Sequence, residues 1–335
     1  MTNRVTMAHG AGGRLTQQLI QQVFVQRFSN PILDRMNDAA VLNLEDGRLA
    51  CSIDGHVINP LFFPGGDIGE IAINGTVNDL AMMGAQPLWL AASFIIEEGL
   101  PLADLRRIAD SMAQSAKKAG VVLVAGDTKV VELGKGDGVY ISVAGIGRIP
   151  PGVEVDAGNA HPGDIVLLSG PIAAHGMTIM TLREGLGFTS ELQSDTAPLN
   201  GIVEELLAAA PHVHAMRDAT RGGLATALNE LARASNVGIS FQENAVPIDR
   251  AARITCELLG LDPLYVANEG VFLVITPPNE ASAALLALQK HTLGRQAAMI
   301  GQVSAAHPGK VVMETTLGAK RIVPMLSGNL LPRIC

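Results

Sequence analysis

The stretch PPGVEVDAGNAHPGD, residues 150–164, limits most what this chain can fold into. Its prolines and glycines fit neither a helix interior nor a central strand. They place a domain boundary near residue 155 and divide the 335 residues into two parts. A chain of this length exceeds what a single core usually serves. Nearly half of its residues are apolar and 17% are charged, which supplies two cores and argues against disorder.

On both sides of this linker, apolar runs of strand length alternate with segments of helical spacing. Strands are predicted at RLACSID (48–54), PLWLAASFII (87–96), VVLVAGD (121–127) and 137–150, with helices over 67–84 and 100–120. After the linker come the strand IVLLSG (165–170) and helices over 173–185, 199–210, 220–235 and 279–292. Further strands are predicted near 237–242, 271–276 and 311–315. Such alternation predicts an α/β (α+β) chain of two mixed α/β domains, 1–155 and 156–325, followed by a short flexible tail, 326–335.

A formal charge of −8 and an aromatic content of 3% argue against a nucleic-acid surface. No apolar run is long enough for a membrane span, and the N-terminus lacks the pattern of a signal peptide. Cys51, Cys256 and Cys335 form neither a disulfide framework nor a metal spacing, so a cytoplasmic protein is expected. Cys51 and Cys256 have apolar neighbours and read as core residues. Cys335 is the last residue, in LLPRIC, and a thiol on a tether can be loaded in one place and delivered in another.

Several acids occupy unusual positions. Asp38 lies in NDAAV, Asp54 ends CSID, Asp79 sits inside an apolar helical segment, Asp127 ends VVLVAGD, and Asp218 precedes a helix start in RDATRGGL. Half-buried carboxylates need partners, and magnesium, which favours oxygen ligands shared with phosphates, is one solution. Asp38 and Asp218 also suit turns or caps, and Asp54 and Asp127 suit strand ends in solvent. Asp79 has the weakest bland explanation, because helix interiors disfavour aspartate. Lys129 in AGDTKV and Glu269 in ANEG are candidate chemical groups, though a solvated lysine and a capping glutamate look the same in sequence. The Gly-rich HGAGG (9–13) matches no common nucleotide loop. His9, His56, His175, His212 and His214 show no metal-type pairing, and most of them read as structural or exposed.

Taken together, NDAAV, SIDGHVINP, NGTVNDLAMMGAQP, AGDTKV, RDATRGGL and ANEG resemble the ATP-dependent superfamily of aminoimidazole ribonucleotide synthetase, selenophosphate synthetase and thiamine-phosphate kinase. With the tail LPRIC, the chain is similar to the carbamoyl dehydratases of nickel–iron hydrogenase maturation within it. The resemblance implies an N-terminal domain that dimerises through its sheet, with ATP and Mg2+ as cofactors. It implies metal roles for Asp38, Asp54, Asp79 and Asp218, and nucleotide contacts for Asn74, Asn78, Asp127, Gly12 and Gly13. Relatives have two acids where this chain has Asn37 and Asp38, so Asn37 lacks the charge that the resemblance expects of a ligand there. HGAGG lacks the reactive cysteine or selenocysteine and the lysine of selenophosphate synthetases.

The implied reaction is ATP-dependent dehydration of an S-carbamoyl group on Cys335 to a thiocyanate. Glu269 would be the base, with Lys129 orienting or tuning it. The implied partners are a carbamoyltransferase that loads Cys335, an iron-bearing scaffold that accepts cyanide, and a second copy of the chain. LSGNL (326–330) would serve as the tail's hinge, and Pro332 would stiffen its end. Two other readings remain open from sequence: a free-substrate synthetase of the same superfamily, and a non-catalytic ATP-gated binding module.

Overall fold

A computed structural model describes residues 13–19, 40–44, 47–184, 192–328, 331 and 333–335. Gly12, Asn37, Asp38, His9 and Pro332, and residues 329–330 of the expected hinge, lie outside them. A short helix α1 (Arg14–Leu19) precedes strands β1 (Ala40–Leu44) and β2 (Gly47–His56) and the small hairpin β3 (Phe62–Phe63)–β4 (Gly66–Asp67). Helix α2 (Ile68–Met82), β5 (Gln86–Glu97), α3 (Leu102–Ala119), β6 (Val122–Val131) and β7 (Val139–Ile149) follow. The first sheet runs β1-β2-β7-β5-β6, antiparallel except for the parallel β5–β6 pair.

Beyond the linker, the chain forms β8 (Ile165–Leu168), α4 (Ala174–Arg183), α5 (Asn200–Ala209), β9 (Ala215–Asp218), α6 (Gly223–Ala234), β10 (Gly238–Gln242) and α7 (Arg250–Leu259). It ends with β11 (Phe272–Thr276), α8 (Ala281–Lys290), β12 (Ala298–Ser304), β13 (Val311–Glu314) and β14 (Lys320–Ile322). These strands order as β14-β13-β10-β12-β8-β11-β9. The mixed α/β class predicted from the alternation is what the chain adopts.

Two expected strand ends fall later than the sequence reading placed them. β2 continues past Asp54 to His56, and β6 past Asp127 to Val131. Strands pleat, so neighbours along them face opposite ways. Three elements had no clear signal. β9 has four residues, and the buried stripe of α7 is only Ala252, Thr255 and Cys256. β12 is interrupted by a register shift between Met299 and Gly301, where a side chain would strike the Ser240 carbonyl. Cys256 is buried as expected, whereas Cys51 is only partly so.

Helix α2 is the centre of the molecule. Asp67 caps it by accepting from the Gly69 and Glu70 amides, at 2.8 and 3.1 Å, which satisfies donors the first turn leaves free. It then packs on β2 and β7 with one side and on β9 and α5 with the other, so it is buried nearly all round. A helix in that position must satisfy its own polar side chains. Asn78 does so with the second half of the chain: its amide donates to the Ala197 and Glu269 carbonyls (3.1 and 3.3 Å), and its oxygen accepts from the Leu199 amide at 2.7 Å. Asn74 donates to the Thr196 hydroxyl at 3.1 Å. Asn78→Ala leaves three buried backbone groups without partners and is expected to lower unfolding free energy by about 3 kcal/mol in urea titration. A loss of under 1 kcal/mol would mean that these bonds do not join the halves.

Candidate active site

The last residues of the chain dock against the first half. Ile334 forms an antiparallel bridge with Ile58, the Val57 amide donates to the Cys335 carbonyl at 3.0 Å, and the Asn59 amide donates to that of Arg333 at 3.4 Å. Leu331 and Ile334 are buried in the core around them. Arg333 pairs with Asp137, and Arg183 donates to the Arg333 and Asn59 carbonyls. Cys335 is thereby brought from the end of the sequence to the inner face of β2.

Glu269 and Asp54 lie beside this thiol, Asp218 lies near Glu269 and Asp79 near Arg221, each delivered by a different element. Asp54 lies on the inner face of β2, with Oδ1 accepting the Gly55 amide at 2.8 Å. Asp79 projects from α2 and accepts the Ser52 hydroxyl at 2.6 Å. Asp218 ends β9 and is buried. Glu269 is buried just before β11, where Asn268 locks the turn through the Ala173 amide and the Ala219 carbonyl, both at 2.7 Å. Gly270 permits the next step: a Cβ there would overlap the Asp195 carbonyl.

The electrostatics follow from this crowding. Burial, then Asp195, Asp54 and Asp218, push the Glu269 carboxyl well above its ordinary range, and Arg221 opposes them. The surroundings of Glu269 therefore favour the protonated form more than water does, and its Oε1 is buried with no hydrogen-bond partner. Asp195 is pushed up to about 6 by burial, although the Glu269 and Gly270 amides bond it. The Cys335 thiol is raised chiefly by burial, with Glu269 and Asp54 adding to the effect and Arg221 opposing it. Arg221 itself is held more firmly protonated, first by Cys335 and then by Asp54, Glu269 and Asp79. It projects from the β9–α6 turn, where Gly222 and Gly223 take positive φ (81° and 62°) and a side chain on Gly223 would strike two carbonyls.

Asp127 and Lys129 do not join this group. They pair with each other at 2.8 Å on exposed β6. Asp54 aligns through Val143 and Ala92 with Gly126, so it shares that residue's face, and Asp127 and Lys129 point the opposite way. Three strand spacings, about 14 Å, add to the separation. The expectation that Lys129 tunes Glu269 is not met within one chain. Asn78 is committed to backbone groups, whereas Asn74 has a buried Oδ1 with no partner. Gly13 packs against the Leu326 carbonyl at the base of the tail.

Asp54, Asp79 and Asp218 do not meet at one point. Among the described residues, the group spaced closely enough for a single ion is instead His161, Asp164 and His214. Its geometry has an internal cause, because the His161 amide and His214 Nδ1 both bond Asp164 Oδ2 (2.7 and 2.8 Å). Magnesium commonly uses one or two carboxylates and takes its other ligands from phosphate and water, so acids spread over several elements fit an ion shared with a nucleotide.

The sequence reading singled out neither Arg221 nor Asp195, and it gave His56 and His175 no role at the site. Arg221 lies within the noted RDATRGGL, where the glycine pair after it was the available signal. His56 is buried beside Asp54, 3.6 Å away, and burial lowers its pKa. His175 is buried under the tail. Neither had any signal in the sequence.

Comparison with known proteins gives this site its context. The family model "AIR synthase related protein, N-terminal domain" matches residues 36–149, and "AIR synthase related protein, C-terminal domain" matches 161–314. The carbamoyl dehydratase HypE of Azotobacter vinelandii is 54% identical over 331 residues, 99% of this chain and 97% of its own length. The chain belongs to the HypE family of carbamoyl dehydratases. A crystal structure of HypE in complex with ATP aligns with a TM-score of 0.84 at 46% identity, covering 99% of this chain and 100% of that one. A HypE–HypF complex aligns at 0.88 with 45% identity, covering 92% and 99%. HypE membership sets aside the free-substrate synthetase and the non-catalytic module that the sequence left open.

Since only the thiolate reacts with alkylating agents, the docked Cys335 is expected to label with iodoacetamide at pH 8 at least about tenfold more slowly than in urea-unfolded chain. Arg221→Ala removes the charge that opposes the shift and is expected to slow labelling further. Equal rates folded and unfolded would show that the thiol is not held in this environment.

Proposed function

We propose that this chain uses ATP to remove the oxygen of a carbamoyl group carried on its own Cys335, leaving a thiocyanate, –S–C≡N. The observation that carries this reading is the docked tail, which places a terminal thiol beside Glu269 and Arg221. The carbamoyl oxygen takes the γ-phosphoryl group of ATP, and ADP leaves. The carbon–oxygen bond then breaks with phosphate as leaving group, and the two nitrogen protons are lost, one at each stage. Arg221 supplies a fixed positive charge where negative charge gathers on oxygen. Asp54, Asp79 and Asp218, together with Asp38, would hold Mg2+, which neutralises phosphate charge. The HypE crystallised with ATP supports nucleotide binding, and Asn74 Oδ1 and Glu269 Oε1 are buried acceptors with capacity to spare.

Glu269 is the candidate proton acceptor, and it must first lose the proton that its surroundings favour. A docked, protonated thiol is also a poor nucleophile, which favours loading of Cys335 with the tail undocked. The HypE–HypF complex supports a protein partner for that loading, which we assign to a carbamoyltransferase. An iron-bearing scaffold would then accept the cyanide.

A second copy of the chain is part of the proposal. The outer face of the first sheet exposes Ile53, Trp89, Ile95, Val122 and Ile146, and among the described residues no strand pairs with the outer edge of β6. Exposed apolar sheet surface of this kind marks an interface. Asp127 and Lys129 lie on that same face, so any role they have at a nucleotide is exercised across the dimer.

Intact-protein mass spectrometry after incubation with carbamoylating partner, carbamoyl phosphate, ATP and Mg2+ tests the reaction. The expected result is a carbamoyl adduct on Cys335 that loses one water only with hydrolysable ATP. An adduct that never loses water, with ATP still consumed, would overturn the proposal. In single-turnover dehydration, the rate is expected to rise with pH through the elevated pKa of Glu269, because the base must be ionised. Glu269→Gln should lower it ~10²–10⁴-fold. Asp195→Asn removes the charge that most raises Glu269 and should move the rising limb to lower pH; an unmoved limb would assign it to another group.

A further inference from the structure

His175 is buried in the first turn of α4, with no exposed surface, and has no place in the chemistry above. Its Nε2 lies 2.7 Å from the Ile334 carbonyl, and its Nδ1 lies 2.8 Å from the Ser194 hydroxyl. The Ser194 oxygen in turn accepts the Thr196 amide at 3.2 Å. These partners fix every proton. An amide can only donate and a carbonyl can only accept. The serine hydroxyl therefore donates to Nδ1, and Nε2 carries the hydrogen that reaches Ile334. Phe63 stands edge-on to the ring at 5.6 Å and keeps it in place. Burial lowers the ring's pKa to about 4, so it stays neutral at working pH.

We propose that His175 is a positioning residue that latches the tail: by holding the Ile334 peptide through Nε2–H, it sets the Cys335 sulfur against Glu269 and Arg221. The inference rests on Cys335 being the carrier of the reacting group, and it adds a device that distinguishes docked from undocked tail. The other tail bonds are backbone pairings with Val57 and Asn59, and the contacts of Arg183 and Arg333, which lie nearer the surface and one residue away from Ile334. The imidazole is a donor inside the protein, and it loses its partner whenever the tail leaves.

The latch is also wired to the rest of the site. Three consecutive residues face three parts of it: Ser194 orients His175, Asp195 accepts the Glu269 and Gly270 amides, and Thr196 accepts the Asn74 amide. A group bound near Asn74 and a docked tail therefore act on the same short segment.

The test is alkylation of Cys335 in the full-length chain with iodoacetamide, followed by mass spectrometry of the C-terminal peptide, with Cys51 as internal reference. Loss of one such hydrogen bond is expected to raise Cys335 labelling roughly 3–10-fold in His175→Leu, with Cys51 unchanged. Dehydration of loaded protein should fall by a similar factor while loading is unaffected. His175→Gln, whose amide nitrogen can reach the same carbonyl, should restore most of both. Ser194→Ala, which leaves the ring but frees its orientation, should shift labelling the same way by less, and it carries the test if His175→Leu does not fold. Unchanged Cys335 labelling in His175→Leu and Ser194→Ala would overturn the latch. So would Cys51 and Cys335 rising together, which reports general loosening. Labelling needs neither ATP nor carbamoylation, so failure of the wild-type chain to dehydrate would sink the proposed reaction and leave the latch separately decided.

Discussion

A helix buried on every side has to find partners for its polar side chains, and in this protein that requirement joins the two halves. Helix α2 lies between the first sheet and the second half, with Asn74, Thr76 and Asn78 inside it. Asn78 reaches across to the backbone at Ala197, Leu199 and Glu269. Water cannot take over these bonds at a position this deep, so each is costly to leave unmade. The candidate site sits where this junction is tightest. Glu269 receives one of the bonds from α2 through its own carbonyl, and Asp79 leaves the same helix one residue further on.

Concentrating acids at such a junction has an electrostatic consequence. Glu269 and Asp195 face each other and further carboxylates with little water between them, and their protons are held more tightly than in solution. Arg221 is the countercharge, and the thiol of Cys335 feels both influences. The cluster is unsatisfied by itself: Glu269 Oε1, Asn74 Oδ1 and His56 Nε2 are all buried without hydrogen-bond partners. Orphaned groups of this kind are uncommon in folded proteins, and these three lie on the elements that build the site. A site arranged to receive a nucleotide and its ion would carry such unspent capacity.

Much of the fold was legible because its main elements carry long, regular patterns. The helices over 68–82 and 102–119 and the strands over 86–97 and 139–149 announce themselves through apolar spacing and stop signals such as Gly120. Short pieces failed for lack of length: four residues in β9, and a shifted register in β12. The acids at 54, 79, 218 and 269 stood out because aspartate and glutamate are unexpected at strand and helix positions surrounded by apolar residues. Asp127 stood out by the same rule and points elsewhere, since one residue of offset along a strand reverses its face.

The sequence by itself determined the mixed α/β class, the acids, and the terminal cysteine, because periodicity, composition and chain position are properties of neighbouring residues. Family membership was legible for the same reason, through short motifs. Only the tertiary structure decided which of those residues meet. It brought Cys335 to β2 across the whole length of the chain, set Arg221 against it by means of a glycine pair, and turned Lys129 away. It also gave His175 and Asp195 their partners. Proximity between residues distant in sequence comes from packing and from the demand that buried polar groups be satisfied, and no local pattern encodes either.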